Sequence, residues 1–487
     1  MFLALFIICF KFLVVFSIFL LIYILITQLI YLKLKYYHNS IYKNAKIKTI
    51  SFVHPFCSDC GGGEKVLWRM ISSLISYYET KNIRDHNLPK LKLNIIAGKK
   101  VDKQQLFIML KNRFGIELNK QKYMNREKLV LEVELITMES GYMLRPRNFL
   151  TMLIQILAQI YFALEIITKV YSDVYCDTTG LPFTYFVLKY LGHAKVTAYT
   201  HYPFISYDMI SEVENNISGV HSRGIFSKIP FLKSLKVSYY KIILFLYKFM
   251  GMFVSYAQCN SSWTYNHMVK IWTKTKLDKV YPPCSTGIYG ECAKNKNRQN
   301  LIVSFAQFRP EKNHQMQIRI VKKLLESGNF QDLQLHIIGA VRAMDDEILF
   351  NQLQLQINNM GLQNNVKLIK NAPFQEVINE FANAKIGIHT MRNEHFGISI
   401  IEMMAAGLIV ITHNSAGAKD DIIGPVKDKS VGILVEDENG YVEQINYLLS
   451  NYNQVVNIIV PNGIERAKGF SDEAFEERIK NVVGDLI

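Results

Sequence analysis

The stretch from Arg392 to Asp421 places a short polar loop, an apolar helix and a β-branched strand in direct succession. The helix is predicted over Ile398–Ala406 and the strand over Ile409–Thr412, with Gly407 between them as the helix terminator. A helix that leads directly into a buried strand is typical of parallel α/β sheets, in which helices connect successive strands. We therefore expect this stretch to be one unit of a larger α/β domain.

The same alternation continues through the second half of the chain. Strands are predicted at Ile302–Ala306, Leu333–Ile338, Val366–Ile369, Ile386–Thr390, Ile409–Thr412 and Val431–Val435. Helices are predicted at Gln315–Glu326, Asp345–Met360, Phe374–Ala384, Ile398–Ala406, Gly440–Leu449 and Asp472–Val483. Alternating strands and helices imply a parallel sheet with right-handed crossovers.

The first half shows this pattern less regularly. Strands are predicted at Ile47–Val53, Leu91–Ala97, Leu129–Thr137, Val174–Asp177 and Val196–Thr200, and a helix from Glu64 follows the turn Gly61–Gly63. The polar segment Gly290–Asn300 is typical of a linker. We predict two Rossmann-like domains, residues 46–290 and 300–465, that face each other across a cleft. Residues 466–487 are predicted to form a C-terminal helix that packs back toward the first domain.

The N-terminus predicts a membrane anchor over residues 1–33. Residues Phe12–Tyr31 are nearly all apolar, and a helix of about 20 residues spans the roughly 30 Å core of a bilayer. A cleaved signal peptide fits poorly, because the apolar core is long and no small-x-small site follows it. Several lysines follow this segment from Lys33 onward, and the first acidic residue after it is Asp59. The positive-inside rule therefore places the bulk of the chain in the cytosol.

Two further apolar segments leave alternatives open. Phe149–Val170 is long enough for a membrane span, but Gln155 and Glu165 within it favour a helix in the core or in contact with a membrane. Ile225–Ala257 interleaves lysine and tyrosine with large apolar residues, which favours an amphipathic helix at the membrane interface. A second membrane span is the alternative for Ile225–Ala257.

Charge and cysteine content narrow the class of partner. The 56 Lys and Arg exceed the 41 Asp and Glu, for a net charge of +15, which favours anionic membranes, phosphorylated substrates or nucleic acid. The basic residues are scattered and match no nucleic-acid module, so no nucleic-acid partner is expected. Cys57 and Cys60 form a C-x-x-C without a second pair at zinc spacing, and no metal or cofactor is predicted.

Four predicted loops at the carboxyl ends of strands carry most of the polar chemistry. They are Gly61–Gly63, Tyr199–Tyr202, Phe308–His314 and Arg392–Ile398. Ligands of parallel sheets bind outside these strand ends, and the N-terminus of the helix after Gly397 offers free amides to a phosphate.

Individual side chains in these loops suggest a nucleotide-sugar site. Arg309 and Lys312 can neutralise a diphosphate. Glu402 can accept hydrogen bonds from two ribose hydroxyls, and Glu394 can orient the hydroxyls of a sugar. His201 is also a candidate, although a histidine in this position is by itself more often part of the core.

The spacing of Glu394 and Glu402 resembles the E-x7-E pattern of retaining glycosyltransferases of family 4, which have the GT-B fold. Other segments resemble more narrowly the mannosyltransferases of asparagine-linked glycosylation that add two α-1,2-mannoses to dolichol-linked Man3GlcNAc2. These segments are His54–Trp68, Tyr199–Ser206, Tyr281–Cys284, Ser304–His314 and Asn393–Ser399. The resemblance extends over nearly the whole chain, from the anchor to the last helix.

Carried over by position, the resemblance implies a role for each candidate residue. Arg309 and Lys312 would hold the leaving diphosphate, Glu394 would contact the donor mannose, and Glu402 would hold the ribose. Backbone amides would come from Phe396, Gly397 and Ile398. Gly62 and Gly63 would approach the diphosphate or the acceptor, and His201 would line the sugar subsite. The residues Cys57–Cys60 before the glycines depart from the expected smaller or neutral ones.

The function implied by the resemblance is transfer of mannose from GDP-mannose to dolichol-diphosphate-linked Man3GlcNAc2, in two successive additions. The expected location is the endoplasmic reticulum membrane, with a single membrane span and a cytosolic catalytic body. The expected partners are GDP-mannose, the dolichol-linked oligosaccharide, the membrane and other glycosyltransferases of the pathway. Two alternatives stand beside this reading: a related transferase acting on another lipid-linked acceptor, and a non-catalytic membrane scaffold of the same fold.

Overall fold

The computed structural model describes residues 2–41, 47–59, 61–84, 89–118, 131–145, 151–215, 230–426 and 428–484. The strands of the first domain are β1 Ile47–Val53, β2 Lys90–Ala97, β3 Leu131–Thr137, β4 Val174–Asp177, β5 Lys195–Thr200, β6 Tyr256–Cys259 and β7 Lys276–Lys279. The helices of this half are α1 Phe2–Ile41, α2 Gly62–Arg84, α3 Lys103–Phe114, α4 Thr151–Lys169, α5 Tyr207–Glu214, α6 Pro230–Met250 and α7 Ser262–Ile271. The strands form one parallel sheet in the order β3-β2-β1-β4-β5-β6-β7.

The second domain repeats this design. Its strands are β8 Gln299–Phe305, β9 Gln334–Gly339, β10 Val366–Lys370, β11 Ala384–His389, β12 Ile409–His413 and β13 Ile433–Val435. Its helices are α8 His314–Glu326, α9 Met344–Asn359, α10 Phe374–Asn383, α11 Ile398–Ala405, α12 Glu438–Ser450 and α13 Tyr452–Lys468, and α14 Asp472–Gly484 ends the described chain. The sheet is parallel, in the order β10-β9-β8-β11-β12-β13. The predicted α/β architecture with two parallel sheets is confirmed.

Strand order explains where a ligand can bind. In each sheet, the strand that comes first in the sequence lies inside the sheet: β1 between β2 and β4, and β8 between β9 and β11. The chain first adds strands on one side of this strand and then crosses over to add the remaining strands on its other side. At such a switch in winding direction, the loops after two neighbouring strands separate and leave a crevice at the carboxyl edge. The loops after β1 and β4, and those after β8 and β11, are therefore the natural site positions.

Several elements were not predicted from the sequence. Strand β7 has the polar sequence KLDK and is mostly exposed, so it carries no hydrophobic periodicity that would reveal it. Helix α13 contains Pro461, a residue that normally argues against a helix interior. The predicted linker Gly290–Asn300 overlaps the start of strand β8 at Gln299. Its residue Arg298 is also fixed in the second domain, because its guanidinium donates to the carbonyl oxygens of Cys292, Phe381, Ala384 and Ala406.

The N-terminal helix α1 lies against the first domain along its C-terminal half. The hydroxyl of Tyr31 donates to the carbonyl of Gly192 at 2.6 Å, and Gln28 Nε2 donates to the carbonyl of Leu191 at 2.9 Å. Other side chains of the same stretch, among them Leu21 and Leu29, are exposed although apolar. One side of α1 therefore packs on the first domain, and the other side presents an apolar surface of the kind that contacts a membrane or another protein.

Helix α4 is the one helix, among those whose side chains are described, that is long and apolar enough to cross a membrane. One side of it lies in the core of the first domain, where Phe162 and Ile166 are fully buried. Leu153, Leu157 and Tyr161 are exposed on it. This arrangement matches a core helix with one outward apolar side, which is the interpretation that the polar residues of the segment favour.

The last helix, α14, returns to the first domain. Phe475 and Ile479 are buried in the same cluster as Ile71 of α2. Asp472 Oδ2 accepts a hydrogen bond from Arg69 Nη2 at 2.6 Å. The end of the chain therefore lies on the helix that begins at the glycine turn.

Candidate active site

The glycine turn of the first domain lies against the helix α11 N-terminus of the second. A methyl group placed on Gly62 would lie 3.0 Å from Cδ1 of Ile398, and one placed on Gly63 would lie 3.5 Å from Nε2 of His201. The structure therefore brings together three of the predicted loops. A larger residue at position 62 would meet the end of the Ile398 side chain, which would have to shift to make room.

Lys312 and Glu394 form an ion pair across neighbouring strand ends of the second domain. Lys312 follows β8 in a 3-10 turn, and Glu394 follows β11. Lys312 Nζ lies 2.5 Å from Glu394 Oε2, with the side chains 18% and 14% exposed. Asn313, directly after Lys312, adopts a left-handed conformation with φ of 53°, and this turn directs the chain into helix α8. The two predicted residues are thus direct partners.

His389 is a third member of this group that the sequence did not identify. It is the last residue of β11 and is 1% exposed. Its Nε2 lies 2.9 Å from Glu394 Oε2, and its carbonyl accepts a hydrogen bond from the hydroxyl of Tyr441 at 2.7 Å. A histidine that ends an apolar strand, five residues before a loop carboxylate, is a signal that could have been noticed.

The charge state of Glu394 follows from these contacts. Burial acts to raise the pKa of Glu394, but Lys312 and the hydrogen bond from His389 outweigh it and hold the pKa well below its ordinary value. Glu394 is therefore a carboxylate at neutral pH, and it can accept hydrogen bonds from hydroxyl groups but cannot serve as an acid.

Glu402 occupies the opposite kind of environment. It lies on α11, where burial raises the pKa of its carboxyl to about 7 against the lowering effects of Lys65 and a hydrogen bond from Tyr289. Lys65 belongs to α2 of the first domain and is 6% exposed, with Nζ 3.6 Å from Asp472 Oδ1. Glu402 therefore lies at the junction of the two domains and changes charge near neutral pH.

On the side of the first domain, the residues that follow three neighbouring strands lie together. His54 follows β1, Thr178 follows β4 and His201 follows β5. His54 Nδ1 lies 2.8 Å from Thr178 Oγ1, and His201 Nε2 lies 3.1 Å from the carbonyl oxygen of Thr178. Glu64 completes the group: its Oε1 lies 3.3 Å from His54 Nε2, and its other oxygen accepts from the amide of Gly61.

His201 is neutral in this setting. Burial, aided by the nearby His54, lowers its pKa to about 4. Because Nε2 faces a carbonyl oxygen, Nε2 must carry the proton, and Nδ1 is left as a hydrogen-bond acceptor. His201 can therefore accept a hydrogen bond from a sugar hydroxyl.

The remaining predicted residues take different positions. Arg309 is exposed at the start of the turn after β8, and within the described chain its side chain has no ion-pair partner. Phe396 is buried and stacks on Tyr281, with ring centroids 5.4 Å apart, so its side chain serves packing. Gly397 has φ of 107°, and no side chain caps the helix that begins at Ile398. The first amides of α11 are thus left for a ligand.

Metal-binding geometry is not found in the described part of the chain. No group of three or more His, Cys, Asp or Glu side chains is placed there to hold an ion.

Comparison with known proteins shows which family the chain belongs to. Residues 47–272 match the family described as ALG11 mannosyltransferase N-terminus, and residues 292–465 match glycosyl transferases group 1. The human protein named GDP-Man:Man(3)GlcNAc(2)-PP-Dol alpha-1,2-mannosyltransferase is 35% identical over 445 residues, which cover 89% of this chain and 86% of the human one. The chain belongs to the ALG11 mannosyltransferase family.

More distant ALG11 relatives agree with this assignment. The protein of the same name from Dictyostelium discoideum is 32% identical over 450 residues, covering 90% of this chain and 85% of that protein. The resemblance drawn from the sequence segments is confirmed, and the chain is an enzyme of the glycosyltransferase class.

Solved structures establish the fold of this ALG11 family member. Sucrose-phosphate synthase from Thermosynechococcus elongatus superposes with a TM-score of 0.63 at 12% identity, over 90% of this chain and 99% of that one. Anabaena HepE in complex with UDP and glucose gives a TM-score of 0.58 at 14% identity, over 90% of this chain and 100% of that one. The predicted GT-B fold is confirmed.

Proposed function

We propose that this protein is a retaining α-1,2-mannosyltransferase that transfers mannose from GDP-mannose to dolichol-diphosphate-linked Man3GlcNAc2. Two successive additions give Man5GlcNAc2. The observation that carries the proposal is the 35% identity to the human enzyme of that name over 89% of this chain. The ion pair of Lys312 with Glu394 at the predicted donor position adds chemical support.

The donor binds on the side of the second domain. Arg309 and Lys312 hold the diphosphate, and the free amides of Phe396, Gly397 and Ile398 add hydrogen-bond donors at a helix N-terminus. Glu394 accepts hydrogen bonds from mannose hydroxyls, which its carboxylate state permits. Glu402 holds the ribose hydroxyls.

The acceptor sugar lies on the side of the first domain, beside Gly62, Gly63 and His201. Its hydroxyl attacks the anomeric carbon from the face that the diphosphate leaves, so the configuration is retained. The bond from that carbon to the diphosphate breaks with its electron pair on the phosphate oxygen, and the proton of the hydroxyl passes to the same diphosphate. Positioning and stabilisation of the departing charge supply the rate enhancement.

Membrane attachment completes the proposal. Helix α1 anchors the protein in the endoplasmic reticulum membrane by a single span, and the two domains lie in the cytosol. The exposed apolar side chains of α1, such as Leu25 and Ile26, support this arrangement. Helix α6 also has one buried side, including Ile243 and Tyr247, and an opposite apolar side that is exposed at Phe245. That side lies in the membrane interface, close to the lipid that carries the acceptor.

The test is an assay of washed membranes that contain the protein, with radiolabelled GDP-mannose and Man3GlcNAc2 on a dolichol diphosphate. Transfer of two mannoses in α-1,2 linkage is the expected result. Radiolabelled GDP-glucose and UDP-glucose serve as alternative donors, and a dolichol-linked GlcNAc2 serves as an alternative acceptor. Transfer only from another donor, only to another acceptor, or no transfer by folded protein would contradict the proposal.

A further inference from the structure

Three parallel rings join the two domains beside the cleft. Tyr202 and Trp263 belong to the first domain, and His395 belongs to the second. The ring centroids of Tyr202 and His395 lie 4.2 Å apart with 4° between the planes. Trp263 is parallel to both, 5.4 Å from Tyr202 at 9° and 5.3 Å from His395 at 11°.

Each ring is connected to a part of the site or of the domain junction. Tyr202 directly follows His201, and His395 directly follows Glu394. Trp263 lies in the first turn of α7, and the amide of its neighbour Ser262 donates to Asp421 Oδ2 of the second domain at 2.8 Å. The three rings therefore join the loop that carries His201 in the first domain to the loop that carries Glu394 in the second. Tyr202 and His395 are the direct sequence neighbours of these two residues.

Ring stacking restricts relative motion in a specific way. Parallel rings at this separation oppose tilting and separation of the two loops, and such pairs stabilise beyond the area they bury. The His395 imidazole is neutral, because burial lowers its pKa to about 4, so the group holds together without charge attraction. Small displacements of reacting groups cost a large part of the rate in a reaction that depends on positioning.

We propose that Tyr202, Trp263 and His395 are positioning residues whose stacked rings set the register between His201 and Glu394 across the cleft. This inference rests on the proposed mannosyl transfer. The rings do not bind the nucleotide in this assignment. They set how the acceptor hydroxyl meets the donor sugar once both substrates are bound, so they act on turnover and leave nucleotide affinity unchanged.

The test is a double-mutant cycle on the full-length protein in membranes. Tyr202→Ala and His395→Ala are each expected to lower kcat about tenfold, the scale of a lost positioning contact. Because the same contact is lost in each, the double variant is expected to lose little more than either single variant. The ring-retaining variants Tyr202→Phe and His395→Phe are expected to restore most of the turnover. Tyr447→Ala, which removes an exposed ring from α12, is the control.

Two further measurements separate positioning from other roles. GDP-mannose affinity, measured by titration in the absence of acceptor, is expected to stay within about twofold of wild type, whereas a ligand contact would weaken it by about tenfold or more. Thermal unfolding shows whether each variant is folded at the assay temperature. Multiplicative losses in the double variant, or a failure of both phenylalanine variants to restore a folded alanine variant, would overturn the inference. Absence of transfer by the wild-type protein would instead contradict the proposed function.

Discussion

Both walls of the cleft are built from the loops that follow parallel strands, but the charged groups on them differ. On the wall of the second domain, the charged groups of Lys312 and Glu394 are in direct contact, and His389 is hydrogen-bonded to Glu394. On the wall of the first domain, the group around Thr178 combines a neutral His201 with the glycine turn, and Glu64 is directed to the amide of Gly61 and to His54. Strand ends of parallel sheets supply both walls.

The difference corresponds to what each wall would bind. A departing diphosphate gains negative charge, and a fixed cation in a partly buried site stabilises that charge more than water does. An acceptor hydroxyl is neutral and needs hydrogen bonds and close approach. The glycine backbone and the neutral imidazole of His201 provide these without carrying a charge of their own. Lys312 is paired with Glu394 in the structure, and a bound sugar diphosphate would offer it a second anion.

The largest expected effect comes from removing the cation of the charged wall. Lys312→Ala should lower kcat by about 100-fold or more, the scale observed for loss of a fixed transition-state contact. The measurement is steady-state transfer from GDP-mannose in membranes with matched protein amounts. Lys322→Ala, on the exposed side of α8 where Lys322 faces Glu326 at 3.7 Å, is the control. Near-normal kinetics of Lys312→Ala would remove that residue from the mechanism.

A smaller effect is expected on the wall of the first domain. His201→Ala should lower kcat about tenfold, because the sugar hydroxyl loses one hydrogen-bond acceptor, while GDP-mannose affinity stays unchanged. Parallel measurements of kcat and of equilibrium donor binding check this. A loss of donor affinity with normal kcat would show that His201 contacts the nucleotide, and the two walls would then not bind separate substrates.

The approach of the two walls can be tested at Gly62. Gly62→Ala places a methyl group 3.0 Å from Ile398 Cδ1, so the Ile398 side chain at the start of α11 must shift by a few tenths of an ångström, and kcat/KM is expected to fall about threefold to tenfold. Shortening the opposing side chain in Gly62→Ala/Ile398→Val should recover part of the loss. Gly287→Ala is the matched control, because its added methyl meets no atom within 4 Å. Unchanged kinetics of Gly62→Ala would show that this contact does not constrain the site.

An effect of similar size concerns Glu402, whose pKa is raised to about 7. A carboxyl with this pKa is protonated at pH 6 and anionic at pH 8, and the anion is the stronger acceptor for ribose hydroxyls. GDP-mannose affinity should therefore rise about threefold to tenfold between these pH values. Glu402→Gln should abolish this rise. An identical pH dependence in wild type and Glu402→Gln would show that Glu402 does not hold the ribose.

The sequence predicted the second domain better than the first for a physical reason. Buried parallel strands such as β8 and β12 contain continuous apolar runs, and amphipathic helices separate the strands of this domain. In the first domain, β6 is short and follows a long apolar helix, and β7 is a polar edge strand without an apolar signal. Helix α13 was missed because Pro461 lies inside it. Local sequence patterns therefore did not predict the elements that form because of their neighbours in the sheet or their packing against other helices.

The candidate site shows the same limit. Its loops could be placed because parallel strands end at one edge of each sheet, so Lys312, Glu394 and His201 could be proposed as candidates by position. The contacts among them could not. The hydrogen bond of His389 to Glu394 joins residues that the sequence separates by a turn, and the aromatic group of Tyr202, Trp263 and His395 joins two domains. No periodicity connects residues that meet only after both sheets are formed.

The sequence by itself determined the two parallel sheets and the family, because hydrophobic periodicity and motif spacing are local properties of the chain. The tertiary structure decided the charge of each group at the site. Glu394 and Glu402 are chemically identical and eight positions apart, yet Lys312 and His389 hold the pKa of one well below its ordinary value, while burial raises the other to about 7. A pKa depends on which charges and how much water surround a carboxyl, and the folded chain alone sets both.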